Sequence, residues 1–105
     1  MNAIRVDRYV LETLMADLVG HDRSPSSFLV YLALWAHTGG SRGATVRMSH
    51  RDLAEETALS KSAIQAAVRN LARRRLVTVT RAWATAVPEY AIQRPWIRRR
   101  SAGSG

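Results

Sequence analysis

The sequence predicts a mainly α domain closed by a small β-hairpin, an α+β fold, and three patterns predict it. Apolar residues recur at helical spacing in four separate stretches. The third and fourth stretches each follow a serine and are only about three residues apart. Further on, the periodicity switches from helical spacing to strict alternation in two short runs.

The elements follow in order. Asp7 is placed to cap a first helix, over residues 7–19, whose apolar residues come in pairs: Val10 with Leu11, Leu14 with Met15, Leu18 with Val19. Pairs at that spacing make a wide apolar stripe, and Gly20 is a natural stop. Ser24-Pro25 restarts the chain as N-cap and first helical residue. Residues 28–36 are apolar all round, which predicts the central, buried helix, and Gly39-Gly40 ends it. Residues 45–48 alternate as a short strand. Ser49, with Asp52 three residues on, is an acidic variant of the capping box and opens a short helix over residues 51–57. After a break at Ala58-Leu59, Ser60 caps a longer helix running to about residue 74, with Ile64, Ala67, Val68 and Leu71 facing inward. Residues 76–81 and 89–93 alternate as strands. Pro88, which has no N–H to donate, belongs at the start of the second. The intervening loop, residues 82–87, carries no glycine turn signal, so the hairpin geometry is the least specified feature. The organisation expected is an N-terminal helix over 1–22, a domain over 23–94 and a basic, disordered tail over 95–105.

Charge is distributed unevenly. The net formal charge is +8, and every basic residue is arginine except Lys61. Residues 1–40 hold three arginines against four acids, a net of −1, while residues 41–105 hold 13 basic groups against four acids, a net of +9. Arginine keeps its charge and grips phosphate with a planar fork, so the second half is suited to a polyanion.

Other chemistries find little support. There is no cysteine, which excludes disulfides, thiol catalysis and cysteine-based zinc sites. His21, His37 and His50 are too far apart in sequence for a helix-borne metal pair, so no metal or cofactor is expected. Ser49, His50 and Asp52 are nearly consecutive at one helix start. A catalytic triad converges from separate directions, so these read as a cap. No glycine-rich phosphate loop occurs, and no enzyme is expected. The longest apolar run is far shorter than the ~20 residues that cross a bilayer, and the early acids Asp7 and Glu12 do not suit a secretory signal. A cytoplasmic location with no membrane partner is expected.

The segment MSHRDLAEETALSKSAIQAAVRNLARRRLVTVTR, residues 48–81, resembles the winged helix-turn-helix superfamily of bacterial DNA-binding regulators. Leu53, Ala54, Leu59, Ile64, Val68 and Leu71 match its apolar frame, and the looser likeness runs from residue 24 to residue 93. The GntR, MarR and IclR groups and plasmid replication initiators share this pattern. The family usually has glycine at the turn, where Ala58 stands here. A left-handed backbone there would cost alanine about 1 kcal/mol relative to glycine.

The resemblance implies double-stranded DNA as partner, with the 60–74 helix in the major groove and the 76–93 hairpin as the wing. The outward positions are then Ser60, Lys61, Ser62, Gln65, Ala66, Arg69 and Asn70. Gln65 can pair with adenine, Arg69 or Lys61 with guanine, and Ala66 permits close approach or meets a thymine methyl. Phosphate and wing contacts fall to Arg51, Arg73, Arg74, Arg75, Arg81 and Trp83. Arg51 can instead pair with Glu55, the three consecutive arginines also suit a helix C-terminus, and Trp83 can instead pack on the domain. Arg94, Arg98, Arg99 and Arg100 either follow phosphates or form a solvated tail. About eight neutralised phosphates would give a log K against log salt slope near −7. The 7–19 helix exceeds what the core requires. It either folds back on its own chain or pairs with a second copy as a homodimer. The reading is a transcriptional regulator, most simply a repressor, with no small-molecule ligand evident. The alternatives are the initiator domain of a plasmid or phage replicon, a protein-docking module, and an RNA binder.

Overall fold

Local side chains set most of the helix boundaries in the computed structural model, which describes residues 2–41 and 43–97. The Ser24 hydroxyl accepts from Ser27 N–H at 3.3 Å and Pro25 fills the first turn, opening α1 (Pro25–Thr38). Ser49 and Asp52 exchange two bonds of 3.0 Å, the reciprocal box that opens α2 (His50–Thr57). The Ser60 hydroxyl accepts from Ala63 N–H at 3.1 Å and opens α3 (Lys61–Arg73). These are the caps expected from sequence. Arg98, Arg99 and Arg100, with the rest of the expected tail beyond residue 97, lie outside the described residues.

Three short strands pair antiparallel: β1 (Thr45–Arg47), β2 (Val77–Thr80) and β3 (Glu89–Ile92), with β3 in the middle. Alternation fixes the register. Val77 faces Ile92, and Val46 and Val79 flank Tyr90 from either side. Tyr90 and Ile92 are fully buried, so this apolar face closes over the helices. The α+β architecture and the β2–β3 hairpin are as expected, and residues 45–47 add the third strand.

α1 is the centre of the fold, packed against α2, α3, the N-terminal helix, β1 and β3. It is not buried all round as its composition suggested: Leu29 is 43% exposed. Its aromatic tips reach both ends of the described chain. Tyr31 Oη donates to Gln93 O at 2.8 Å, and Trp35 Nε1 donates to Arg5 O at 2.7 Å.

The N-terminal helix departs from expectation in three ways. First, it contains two widened turns, Val10–Leu14 and Asp17–His21, closed by i→i+5 bonds from Met15 N–H to Val10 O and from Asp22 N–H to Asp17 O. A strict four-residue repeat suits such winding. Val10, Leu14 and Leu18 face the core, while Leu11, Met15 and Val19 stay exposed. Second, Gly20 does not stop it. The reversal falls on Arg23, at φ 52°, and Ser24 N–H closes back on Leu18 O at 2.8 Å. Third, Asp7 caps with its backbone only. Its carboxylate accepts from Arg94 Nη1 at 3.2 Å and from Trp96 Nε1 at 3.1 Å, and Tyr9 stacks on Trp96 at 4.7 Å. Trp96 therefore packs on the body of the domain, although residues 95–97 were expected in the tail. Among the described residues, no helix is long and apolar enough to cross a membrane.

Candidate nucleic-acid interface

α2 and α3 are separated by only Ala58, Leu59 and Ser60. The Thr57 hydroxyl donates to Leu53 O at 2.6 Å and accepts from Leu59 N–H at 3.3 Å, bridging the end of α2 to the turn. Ala58 then adopts φ 62°, ψ 23°, the left-handed conformation in which an L-residue is strained. Leu59 inserts into the core edge and Ser60 restarts the helix.

That turn fixes how α3 lies. Ile64, Ala67, Val68 and Leu71 are buried, so Ser62, Gln65, Ala66, Arg69 and Arg73 form one exposed stripe, with Lys61 and Ser60 at its start. A shallow groove runs along its edge, lined by Ala66, Arg69, Asn70, Ala72 and Arg73.

Asn70 does not belong to that stripe. It lies about 100° round the helix from Arg69, on the flank facing α1. Its amide donates to Asp22 Oδ2 and to Ser27 Oγ, both at 3.0 Å, and its carbonyl accepts from Arg73. Arg74 is likewise committed elsewhere. Its Nε lies 3.0 Å from Asp22 Oδ2 and its Nη2 3.8 Å from Asp17 Oδ2. Asp22 is the hub of this cluster, with a side chain only 7% exposed. Burial pushes its carboxyl up, but bonds from His21 and Asn70 and the Arg74 charge outweigh that and leave it below the usual carboxylate value.

Arg75 takes φ 60° just past α3. Its N–H bonds Ala72 O at 3.0 Å and Leu76 N–H bonds Leu71 O at 2.9 Å, a Schellman ending with arginine where glycine is usual. The side chain is exposed, as are those of Arg51, Arg73 and Arg81. Arg51 Nε lies 3.3 Å from Glu55 Oε2, the surface pair named as its alternative role. Arg94 is held by Asp7 and sits over the Trp35 ring at 5.9 Å.

The loop between β2 and β3 is braced. Arg81 Nη1 donates to Ala86 O at 2.9 Å, and Ala86 N–H to Trp83 O at 3.0 Å. Trp83 does not pack on the domain; it is 67% exposed. The loop's return leg is pinned where Met48 N–H meets Pro88 O at 3.2 Å, one residue before the Ser49 cap. The wing base, the start of α2 and the start of α3 thus meet near His50.

Two polar atoms shut from solvent there, His50 Nε2 and Tyr90 Oη, make no hydrogen bond among the described residues. Burial pushes the Tyr90 phenol up to about 12, with the Arg81 charge opposing. Burial first, then the Arg81 and Lys61 charges, hold the His50 imidazole below its usual value. The unfolded chain therefore takes up this proton more readily than the folded one. The His50 contribution to stability is complete above about pH 6.5 and is lost as pH falls below it. Thermal melts between about pH 7.5 and about pH 5.5 should show this loss, and His50→Gln should flatten it. Equal slopes for the two proteins would remove His50 as the cause.

Among the described residues, no group of three or more histidine or acidic side chains is placed to hold a metal ion. Sequence reasoning missed the Asp22–Asn70–Arg74 cluster, because Asp22 lies 48 residues before Asn70 and leaves no local pattern. A family model described as a helix-turn-helix domain matches residues 24–77, just over half of the chain. No curated protein and no solved structure matches it.

Proposed function

The chain belongs to the helix-turn-helix domain family, a DNA-binding fold, and on that premise we propose that it is a sequence-specific transcriptional regulator that reads duplex DNA with α3 in the major groove. The observation that carries this is the exposed stripe of Lys61, Ser62, Gln65, Ala66 and Arg69 at the start of a helix whose opposite face is fully buried. An α-helix fits the major groove, and its first turns reach base edges. Ala66 sits mid-stripe and lets the backbone come close. Gln65 reads adenine and Arg69 reads guanine.

Lys61, Arg73, Arg75 and Arg81 follow the phosphates, with Arg51 joining them by leaving Glu55, a surface pair of little worth. Asn70 and Arg74 are positioning residues, which hold α3 against α1 and the N-terminal helix. About five phosphate contacts give a log K against log salt slope near −4.5. The simplest regulatory outcome is repression by occupying a promoter. The exposed row Leu11, Met15 and Val19 on the N-terminal helix is the face by which two copies pair, matching a two-fold symmetric site. The setting is cytoplasmic.

The test is selection of duplexes by the purified chain, followed by anisotropy titrations on the best site. Gln65→Ala and Arg69→Ala should each cost about 1–3 kcal/mol and relax preference at one base position. Arg73→Ala should weaken all duplexes alike and lower the salt slope by about 1. Base preference unchanged by both α3 substitutions would remove α3 as the reader.

A further inference from the structure

The wing carries a feature that phosphate binding does not call for. Trp83 is 67% exposed, more than any other large apolar side chain of the described residues. An indole left in water forgoes one of the largest burial gains open to a side chain. Its neighbours are also unlike the surrounding surface. From residue 82 to residue 87 the loop reads Ala-Trp-Ala-Thr-Ala-Val, without a charge, in the half of the chain that is otherwise rich in arginine. A loop built only to grip phosphate would carry cations along its tip, and here Thr85 supplies the one polar side chain.

The loop is also held in shape. The Trp83 carbonyl is bonded by Ala86 N–H, the Ala86 carbonyl by Arg81, and the return leg is pinned at Pro88. Trp83 and Val87, itself 46% exposed, thus form a braced apolar blade. Beneath the blade is an open groove of about 400 Å³, flanked by Arg47, Thr80 and Glu89. Arg81 braces the foot of the blade through Ala86 O, and its charge and that of Lys61, at the start of α3, both act on His50. The foot of the blade and the start of α3 therefore both lie near His50, and Arg47 and Arg81 against Glu89 favour a polyanion over an acidic or apolar protein surface.

We infer that Trp83 is a wedge, its indole entering the minor groove beside the α3 site and stacking against a base step that it partly opens. This rests on the reading of α3 as the duplex reader. Apolar side chains inserted in this way unstack a step and bend the duplex. The steps that yield most readily are TA and CA/TG. The wing thus adds a second element of specificity, sensitive to the deformability of the site.

The experiment uses the full chain and a duplex it selects, with 2-aminopurine placed at the flanking steps. Trp35 is buried and Trp96 is covered by Tyr9, so acrylamide quenching reports mainly on Trp83. Binding should reduce that quenching several-fold, brighten 2-aminopurine at one step, and bend the duplex by energy-transfer measurement. Trp83→Ala should lose the brightening and the bend and weaken binding about tenfold or more, with Trp83→Phe between the two. Because the side chain is exposed, both variants should melt as the parent does, and base preference under α3 should persist. Duplex binding with unchanged Trp83 quenching, or a Trp83→Ala protein with parental affinity and bend, overturns the wedge alone. Failure of the parent chain to bind any duplex overturns the reading of α3 as well.

Discussion

Gly40→Ala is expected to remove about 4 kcal/mol of stability, a large fraction of what a domain of this size holds. Gly40 sits at φ 74°, where an L side chain costs about 1–2 kcal/mol. A Cβ there would lie 2.3 Å from Cε2 and Cζ2 of Trp35, closer than any real contact. The ring cannot move aside, because it is 2% exposed, lies against Tyr31 at 5.9 Å, and is tied to Arg5 O through its Nε1. Overpacking of this kind adds about 1–3 kcal/mol. Gly39 supplies the control. It has φ 68°, yet an added Cβ would meet nothing within 4 Å. Gly39→Ala should therefore lose only the backbone share, about 1 kcal/mol. Urea unfolding of the two variants isolates the steric clash, and equal midpoints would mean that the glycine–indole contact is not as close as described.

Asp22→Ala should cost about 2–3 kcal/mol, because it strips the acceptor from His21 and Asn70 and the counter-charge from Arg74 at once. The Asn70 amide N–H group would keep only Ser27, a fully buried side chain, and half-buried Arg74 would keep only the longer contact to Asp17. Asp22 also makes stability depend on acid. Its folded pKa is depressed, so its contribution is complete above about pH 4 and disappears as pH falls through the folded value. A double-mutant cycle with Arg74→Ala should give a coupling of about 1–2 kcal/mol. Arg74→Ala should destabilise the domain while leaving the salt slope of duplex binding unchanged, the reverse of Arg73→Ala. A lowered slope for Arg74→Ala would return that residue to the phosphate contacts.

How much was legible in the sequence depended on the range of the interaction. Ser24, Ser49 and Ser60 cap helices through bonds to backbone three residues ahead, so a short window contains the whole signal. The inward face of α3 was equally local. The apolar pairs of the N-terminal helix repeat every four residues, midway between ordinary and widened winding, and could have announced the i→i+5 turns. Asn70 and Arg74 could not be read, since residue type and spacing suit both a DNA contact and a strut, and only the position of Asp22 separates the two. The same holds for Trp83, because exposure is a property of what fails to cover it.

The clasp that Asp7 makes with Arg94 and Trp96 has a bearing on folding order. Its partners are separated by 87 and 89 positions, nearly the whole described chain. Closing so long a loop carries a large entropic penalty before any contact rewards it. The short-range contacts between α2 and α3 can assemble first, and the clasp closes last. On the ribosome, where synthesis runs from the N-terminus, α1 can cover the turn that carries Leu18 early, because it follows directly in the chain, whereas Asp7 must wait for Arg94 and Trp96. The clasp is therefore the last part of the described fold to be completed during synthesis.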